Sequence, residues 1–325
     1  MSAVTYATAQ ILRALPRARI GRAVGHLAER RWSHSVGKAV VGLYSRVYRV
    51  RLDECAEERD WPSFDAFFTR RLREGARPVA SDRYTVASPA DGTIEAAGTI
   101  DNGGTFVVKG RPYSVAELVG GDREAERFRG GAGFVVYLSP KDYHRVHTPA
   151  AGVIRRIRSV PGDYYPVNGI GMRHIPRLFC RNRRVVIEID GEAGLGRIAV
   201  VMVVAMIVGR ITTIGIDHPD VPFGDHCFDP PLRVGPGDEI GVFHLGSTAV
   251  VLTESRAAGQ WVVRGGAVRY GNAVLRAERD FATLGRPDGA PRSTTPPPSE
   301  LTTPPLADVP ADALSGRNSV EGERG

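Results

Sequence analysis

Between about residues 79 and 280 the chain is built of short β-branched runs, each closed off by glycine or proline. Residues 133–138, 185–189 and 198–204 are the clearest of them. Runs of this length, rich in Val and Ile and punctuated so often, read as strands, so the middle of the chain must be a strand-dominated core. The longest uninterrupted apolar stretch, residues 198–208, falls well short of the roughly 20 residues needed to span a bilayer and reads as a buried strand. A chain of 325 residues, 42% hydrophobic and 24% charged, has the composition of a well-cored soluble protein.

The flanks differ in character. Residues 1–72 read as helical. Their first 51 residues carry ten Lys or Arg against a single acid, Glu29, so this arm carries +9 and, with a formal net charge of +7 for the whole chain, the remainder is close to neutral. Apolar residues are interleaved with the charges: Ile11, Leu12, Leu15, Ile20, Val24 and Leu27, then Val40, Val41, Leu43, Tyr44, Val47 and Tyr48. That spacing predicts amphipathic helices lying on an anionic membrane surface. Nucleic-acid binding is the weaker alternative, because no zinc-finger spacing or RNA-binding aromatic signature accompanies the charge. Further on, Ser63 or Pro62 is placed to start a helix carrying Phe64, Phe67, Phe68 and Leu72 on one face. Residues 286–325 are rich in Pro, Thr and Ser, bury little, and are expected to be disordered. No signal peptide is apparent. Three widely spaced cysteines, Cys55, Cys180 and Cys227, point to reduced thiols and not to a disulfide frame or a zinc site.

A weak repeat runs through the middle region. Ser88-Pro89-Ala90-Asp91-Gly92 corresponds to Thr148-Pro149-Ala150-Ala151-Gly152, each a turn entering a strand, with the glycine expected to supply unusual backbone angles. Alanine serves at position 151, so the carboxylate of Asp91 is not required by the turn and has another task.

The sharpest chemical signal is Gly246-Ser247-Thr248, between two strand-like runs. By itself this is an ordinary turn. Its chemical capacity lies in the glycine carbonyl, which no side chain shields. An activated Ser247 hydroxyl can attack it and convert the peptide bond to an ester. Elimination then frees the upstream chain, and hydrolysis of the resulting dehydroalanine releases ammonia and leaves a pyruvoyl group. His144 and His147 are candidate bases; they would share a side in a helical turn and oppose each other in a strand. Ser247 lacks a Gly-x-Ser-x-Gly elbow, so a single reaction on the chain itself fits better than a turnover hydrolase.

Four motifs occur in order: Phe67-Phe68-Thr69-Arg70-Arg71-Leu72, Ser88 to Gly92, Tyr143-His144-Arg145-Val146-His147, and Phe243-His244-Leu245-Gly246-Ser247-Thr248. Through them, from about Trp61 to Ala277, the chain resembles the phosphatidylserine decarboxylase family. The resemblance implies an α+β protein with a β-sheet-dominated catalytic region at 73–285, preceded by membrane-associated helices. It implies that Asp91, His147 and Ser247 act in self-cleavage between Gly246 and Ser247, giving chains 1–246 and 247–325 that stay together as a heterodimer. Ser247, as a covalent pyruvate cofactor, would form a Schiff base with phosphatidylserine, much as pyridoxal phosphate would. His144 is the candidate donor that returns a proton to the α-carbon. The enzyme is then expected peripherally on the cytoplasmic side of the cell membrane, with no metal and no nucleic-acid partner, and with a higher oligomer open.

Arg183, where the family pattern carries Glu, and Pro236, where it carries Lys, depart from that pattern; neither is in the proposed triad. Lys141 and Arg145 flank the histidine motif and could reach a headgroup phosphate or equally be solvated. The rival readings are a decarboxylase of a related amino-phospholipid and a lipid-binding scaffold that never processes.

Overall fold

The computed structural model describes residues 17–56, 60–206 and 210–278. The apolar positions before residue 17 and the Pro-rich tail therefore lie outside the described residues, and so does the end of the 198–208 run.

The chain begins with helices α1 (Arg17–Glu29) and α2 (His34–Tyr48), a single 3-10 turn at Leu52–Glu54, and the short helix α3 (Phe64–Phe68). Ser63 caps α3, its Oγ accepting from the Ala66 amide at 3.1 Å. Leu72 lies past the end of α3, bridged to Cys55 in extended backbone, so it is not part of that helix face. Ala28 of α1, Val41 of α2 and Phe67 and Phe68 of α3 are buried. The opposite face of α2 is apolar too: Val36, Val40, Leu43 and Val47, spaced by three and four residues, all point outward. Lys38 and Arg46 are exposed on the same helix. No helix among the described residues is long and apolar enough to cross a membrane.

The strands follow as β1 (Thr85–Ala87), β2 (Gly92–Thr99), β3 (Thr105–Val108), β4 (Arg111–Ser114), β5 (Ala132–Leu138), β6 (Arg145–His147) and β7 (Gly152–Val160). Helices α4 (Val115–Val119) and α5 (Asp122–Ala125) precede β5; α6 (Gly169–His174) and α7 (Leu178–Arg181) follow β7. The remaining strands are β8 (Arg184–Gly191), β9 (Gly196–Val204), β10 (Arg210–Thr213), β11 (Gly224–Val234), β12 (Glu239–His244), β13 (Ser247–Thr253), β14 (Gly259–Trp261), β15 (Gly266–Val268) and β16 (Ala273–Ala277).

Eight strands form the main antiparallel sheet in the order β11-β7-β8-β9-β13-β5-β2-β15. Every residue of β13 is buried, as are the last seven of β9, which is why these runs read as continuous Val and Ile without alternation. A second sheet, β10-β12-β6, carries the histidine motif, and a third, β1-β16-β14, closes the end of the described chain. This is the expected α+β architecture with strands dominant. The segment after Gly246 is woven through it: β13 lies between β9 and β5, β15 pairs with β2, and β16 lies between β1 and β14.

Arg183, the departure from the family pattern, is 2% exposed and meets Asp220 with two guanidinium nitrogens at 2.7 and 2.8 Å. It also donates to the Val221 carbonyl at 2.9 Å. The local ion pair is thus present, made with a partner in a distant loop.

Candidate active site

Both copies of the repeat are turns that enter a strand, β2 from Asp91 and β7 from Ala151. Their glycines, however, do not take positive φ. A Cβ at Gly92 would overlap the carbonyl oxygen of Tyr137, and one at Gly152 that of Asp190. The glycines permit close approach to the neighbouring strand, and the expectation of unusual backbone angles is corrected. The Asp91 carboxylate does have its own task. Arg77 grips it, with Nε at 3.2 and 3.1 Å from its two oxygens and Nη2 at 2.6 Å. The Tyr270 amide donates to it at 2.9 Å. Arg77 also bonds Glu54 at 2.6 Å, tying the 3-10 turn to the core.

His147 ends β6. Its Nδ1 donates to the Gly237 carbonyl at 2.7 Å, which leaves Nε2 as the lone-pair nitrogen, and that atom is buried with no hydrogen-bond partner. Tyr270 stacks on the ring with centroids 3.8 Å apart, and Tyr143 lies beside the pair, 5.7 Å from His147 and 5.7 Å from Tyr270. Burial pushes its pKa down; the bond to Gly237 and the charges of Glu239 and Asp91 oppose that shift. Pro236 sits in the turn that presents the Gly237 carbonyl, so this departure from the family pattern leaves the support of His147 in place.

His144 lies just outside the strand and is fully buried. Its Nδ1 donates to the Asp142 carbonyl at 2.8 Å, again leaving an unpartnered Nε2. Burial first, and then the charge of Arg70, lower its pKa to about 3. Phe68 packs on the ring at 3.9 Å, and Phe68 shares a small cluster with Leu245. The carbonyl of His144 accepts from the Phe243 amide at 3.0 Å. His144 is therefore packed beside the segment leading into Gly246 and Ser247.

Ser247 heads the strand β13, opposite Leu138 of β5 on one side and Val204 of β9 on the other. It is 1% exposed, and its Oγ has no hydrogen-bond partner among the described residues. Leu245 holds a left-handed conformation, φ 83°, which L-residues adopt at a cost, and nothing lies within 4 Å of where a Cβ of Gly246 would be.

The structure thus joins Asp91 and His147 through Tyr270, and His144 to the Gly246–Ser247 junction through Phe68 and Leu245. No hydrogen bond links Asp91 to His147 or either histidine to Ser247 among the described residues. The orienting partner of His147 is a backbone carbonyl, where the triad pattern leads one to expect a carboxylate. Arg145 is committed to Glu239 at 2.7 and 2.9 Å and to the Thr69 carbonyl at 2.8 Å, whereas Lys141 opens onto a cavity. Arg77, Tyr270 and Gly237 were not marked by the sequence. Gly271, which takes a positive φ, is the sequence feature that could have marked a turn beside Tyr270. Among the described residues no group of His, Cys, Asp and Glu is placed to hold a metal ion.

These features define a β-sheet protein with a buried, unpartnered serine at the head of a central strand and two buried histidines, one of them packed beside the segment that leads into that serine. The comparisons with known proteins give that class its family. The model of the family described as phosphatidylserine decarboxylase matches residues 64–276. A protein of Pseudomonas aeruginosa (strain LESB58) named phosphatidylserine decarboxylase proenzyme is 42% identical over 248 residues, covering 73% of this chain and 85% of that one. A proenzyme of the same name from Anaeromyxobacter sp. (strain K) is 39% identical over 251 residues, covering 75% and 88%. The chain belongs to the phosphatidylserine decarboxylase family.

Proposed function

We propose that this chain is a proenzyme that cuts itself between Gly246 and Ser247 and then decarboxylates phosphatidylserine to phosphatidylethanolamine. The observation that carries the reading is the buried, unpartnered Oγ of Ser247, one residue past an unshielded glycine and two past the strained Leu245. In the cut, the Oγ proton passes to the Nε2 of His147, the oxygen attacks the Gly246 carbonyl, and the C–N bond breaks as that proton is handed to the departing Ser247 nitrogen and the ester forms. Loss of the Ser247 α-proton then expels the Gly246 carboxylate. Relief of the left-handed Leu245 favours the same direction.

The residues present fit a pyruvoyl group at position 247, since a side chain without hydrogen-bond partners, enclosed among Val and Leu strands, suits a ketone as well as a hydroxyl. Such a group supplies an electrophilic carbonyl that captures the substrate amine and takes up the electrons released as carbon dioxide leaves. His144 is neutral in the resting protein and holds its only N–H toward Asp142. It must therefore first accept a proton at Nε2, from the incoming ammonium, before it can return one to the α-carbon. That order refines its role as a simple donor. The outward stripe of α2, with the basic residues beside it, fits docking on an anionic membrane that carries the substrate.

The packing of His144 beside Phe243 and Leu245 favours a second reading, in which His144 and not His147 activates Ser247. The intact mass of the purified protein under denaturing conditions tests the common ground. Chains 1–246 and 247–325 are expected, the smaller one lighter than its hydrolysis product by one ammonia. A single uncut chain in a folded, membrane-competent sample would leave a lipid-binding scaffold.

A further inference from the structure

A cavity of about 360 Å³ opens where the end of α2 meets the core. Six cationic side chains line it: Arg49, Arg51, Arg70, Arg77, Lys141 and Arg269. Its carboxylates number three, and each is already engaged. Asp91 is held by Arg77 and the Tyr270 amide. Glu54 is shared by Arg77 at 2.6 Å, Arg51 at 2.9 Å and Arg269 at 3.5 Å. Asp142 accepts from the amide and hydroxyl of Ser139 at 2.8 and 2.6 Å. Arg49, Arg70 and Lys141 are left without a carboxylate partner among the described residues.

Arg70 is the unusual member. It is 4% exposed, and its Nη2 reaches only the carbonyls of Lys141 and Asp142, at 3.2 and 3.3 Å. Its Nε has no hydrogen-bond partner. A buried guanidinium without an anion is strongly unfavourable unless an anion arrives. We propose that this cavity binds a phosphate group, gripped by Arg70, Lys141 and Arg49. A planar guanidinium with free donors and a neighbouring ammonium match phosphate oxygens in charge and geometry.

The position identifies the carrier. Arg49 follows directly on the outward apolar stripe of α2, so a lipid at that stripe brings its phosphate to the cavity mouth. On the inner side, Thr93 in the cavity wall lies across Tyr137 from Thr248. Two strand spacings put it roughly 10 Å from the head of β13. The assignment to a substrate lipid rests on the proposed decarboxylase activity; the surplus of positive charge does not.

The test uses the full chain and the variant Lys141→Ala/Arg49→Ala, both exposed positions, because Arg70→Gln also removes the support of two carbonyls. Thermal unfolding is first compared in inorganic phosphate and in chloride of equal ionic strength. Phosphate should stabilise the wild type specifically and the variant far less, and this arm is valid whether or not the protein decarboxylates anything. Next, KM and kcat are measured on vesicles of phosphatidylserine with a fixed background of phosphatidylglycerol. A KM raised roughly tenfold at unchanged kcat, with complete self-cleavage by mass, assigns the site to the substrate's own phosphate. Phosphate stabilisation and weaker binding to phosphatidylglycerol vesicles, with KM for a short-chain soluble phosphatidylserine unaltered, assign it to a neighbouring anionic lipid. Equal response of wild type and variant to phosphate, with KM and vesicle binding unchanged, overturns the proposal. A wild type that fails to process counts instead against the decarboxylase reading.

Discussion

The ring of Tyr270 lies flat on the imidazole of His147, centroids 3.8 Å apart and planes within 5°. The backbone amide of the same tyrosine holds Asp91. A residue from beyond Ser247 thus fixes two candidate catalytic groups that come from before it. Tyr270→Phe keeps both the stack and the amide and should process at the wild-type rate. Tyr270→Ala keeps the amide but frees the ring of His147, and should slow self-cleavage roughly fivefold, as loss of about 1 kcal/mol of stacking and orientation would. Time courses of chain appearance after synthesis read both. Equal rates would mean that the stack does not position His147.

The two histidines should separate by step. His147→Ala is expected to leave a single uncut chain, whereas His144→Ala should cut normally and lose at least roughly 100-fold in decarboxylation. Gel analysis and carbon dioxide release give the two readouts. The reverse pattern would transfer the activation of Ser247 to His144.

Acid should destabilise the fold early. Burial lowers the pKa of His144 from 6.5 to about 3 and also lowers that of His147. Below pH 6.5 the unfolded chain takes up protons that the folded chain refuses, so stability is complete above that pH and falls as the pH drops toward 3. Unfolding midpoints measured between pH 7.5 and 4.5 should decline, and less steeply in His144→Asn. An identical slope in that variant would show that His144 is not held neutral.

Arg183 offers a stability test outside the site. Asp220→Ala strands its buried guanidinium and should cost roughly 3 kcal/mol, at the lower end for a broken buried pair because Asp220 is partly exposed. Denaturant unfolding measures the loss. A variant as stable as wild type would mean that the Val221 carbonyl and solvent suffice for Arg183.

The outward stripe of α2 should govern contact with membranes. Leu43→Asp and Val47→Asp replace exposed apolar side chains, so neither should lower stability, yet together they should weaken binding to anionic vesicles by at least roughly tenfold. Sedimentation with vesicles decides it. Unaltered binding would move the membrane contact to another surface.

The central strands β5, β8 and β9 were legible because each is a short, buried run rich in Val and Ile or other apolar residues, and the repeat set Asp91 apart because its two copies differ at that position while both form the turn. What closes over the site was not legible. Asp91 and Tyr270 are 179 residues apart in sequence, and no local pattern encodes such a pairing. Gly92 was correctly singled out for the wrong cause: a strand-entering glycine looks the same whether it needs positive φ or room for a neighbour's carbonyl. The helices posed a similar ambiguity. Apolar residues on two faces of α2 revealed amphipathic character, but not which face meets Phe67 and which meets solvent. Arg183 looked like a lost partner because its replacement partner, Asp220, sits 37 residues away.

The place of β13, flanked on both sides within the main sheet, has a consequence for renaturation. Before the proposed cut, this strand reaches its slot as part of one chain, and folding is independent of concentration. Afterwards the same slot must be filled by a separate polypeptide, so any recovery from unfolding becomes a second-order encounter that dilution suppresses. The protein would then be assembled once, as a proenzyme, and its lifetime as an enzyme would be set by how slowly the central strand is lost and not by how readily it returns.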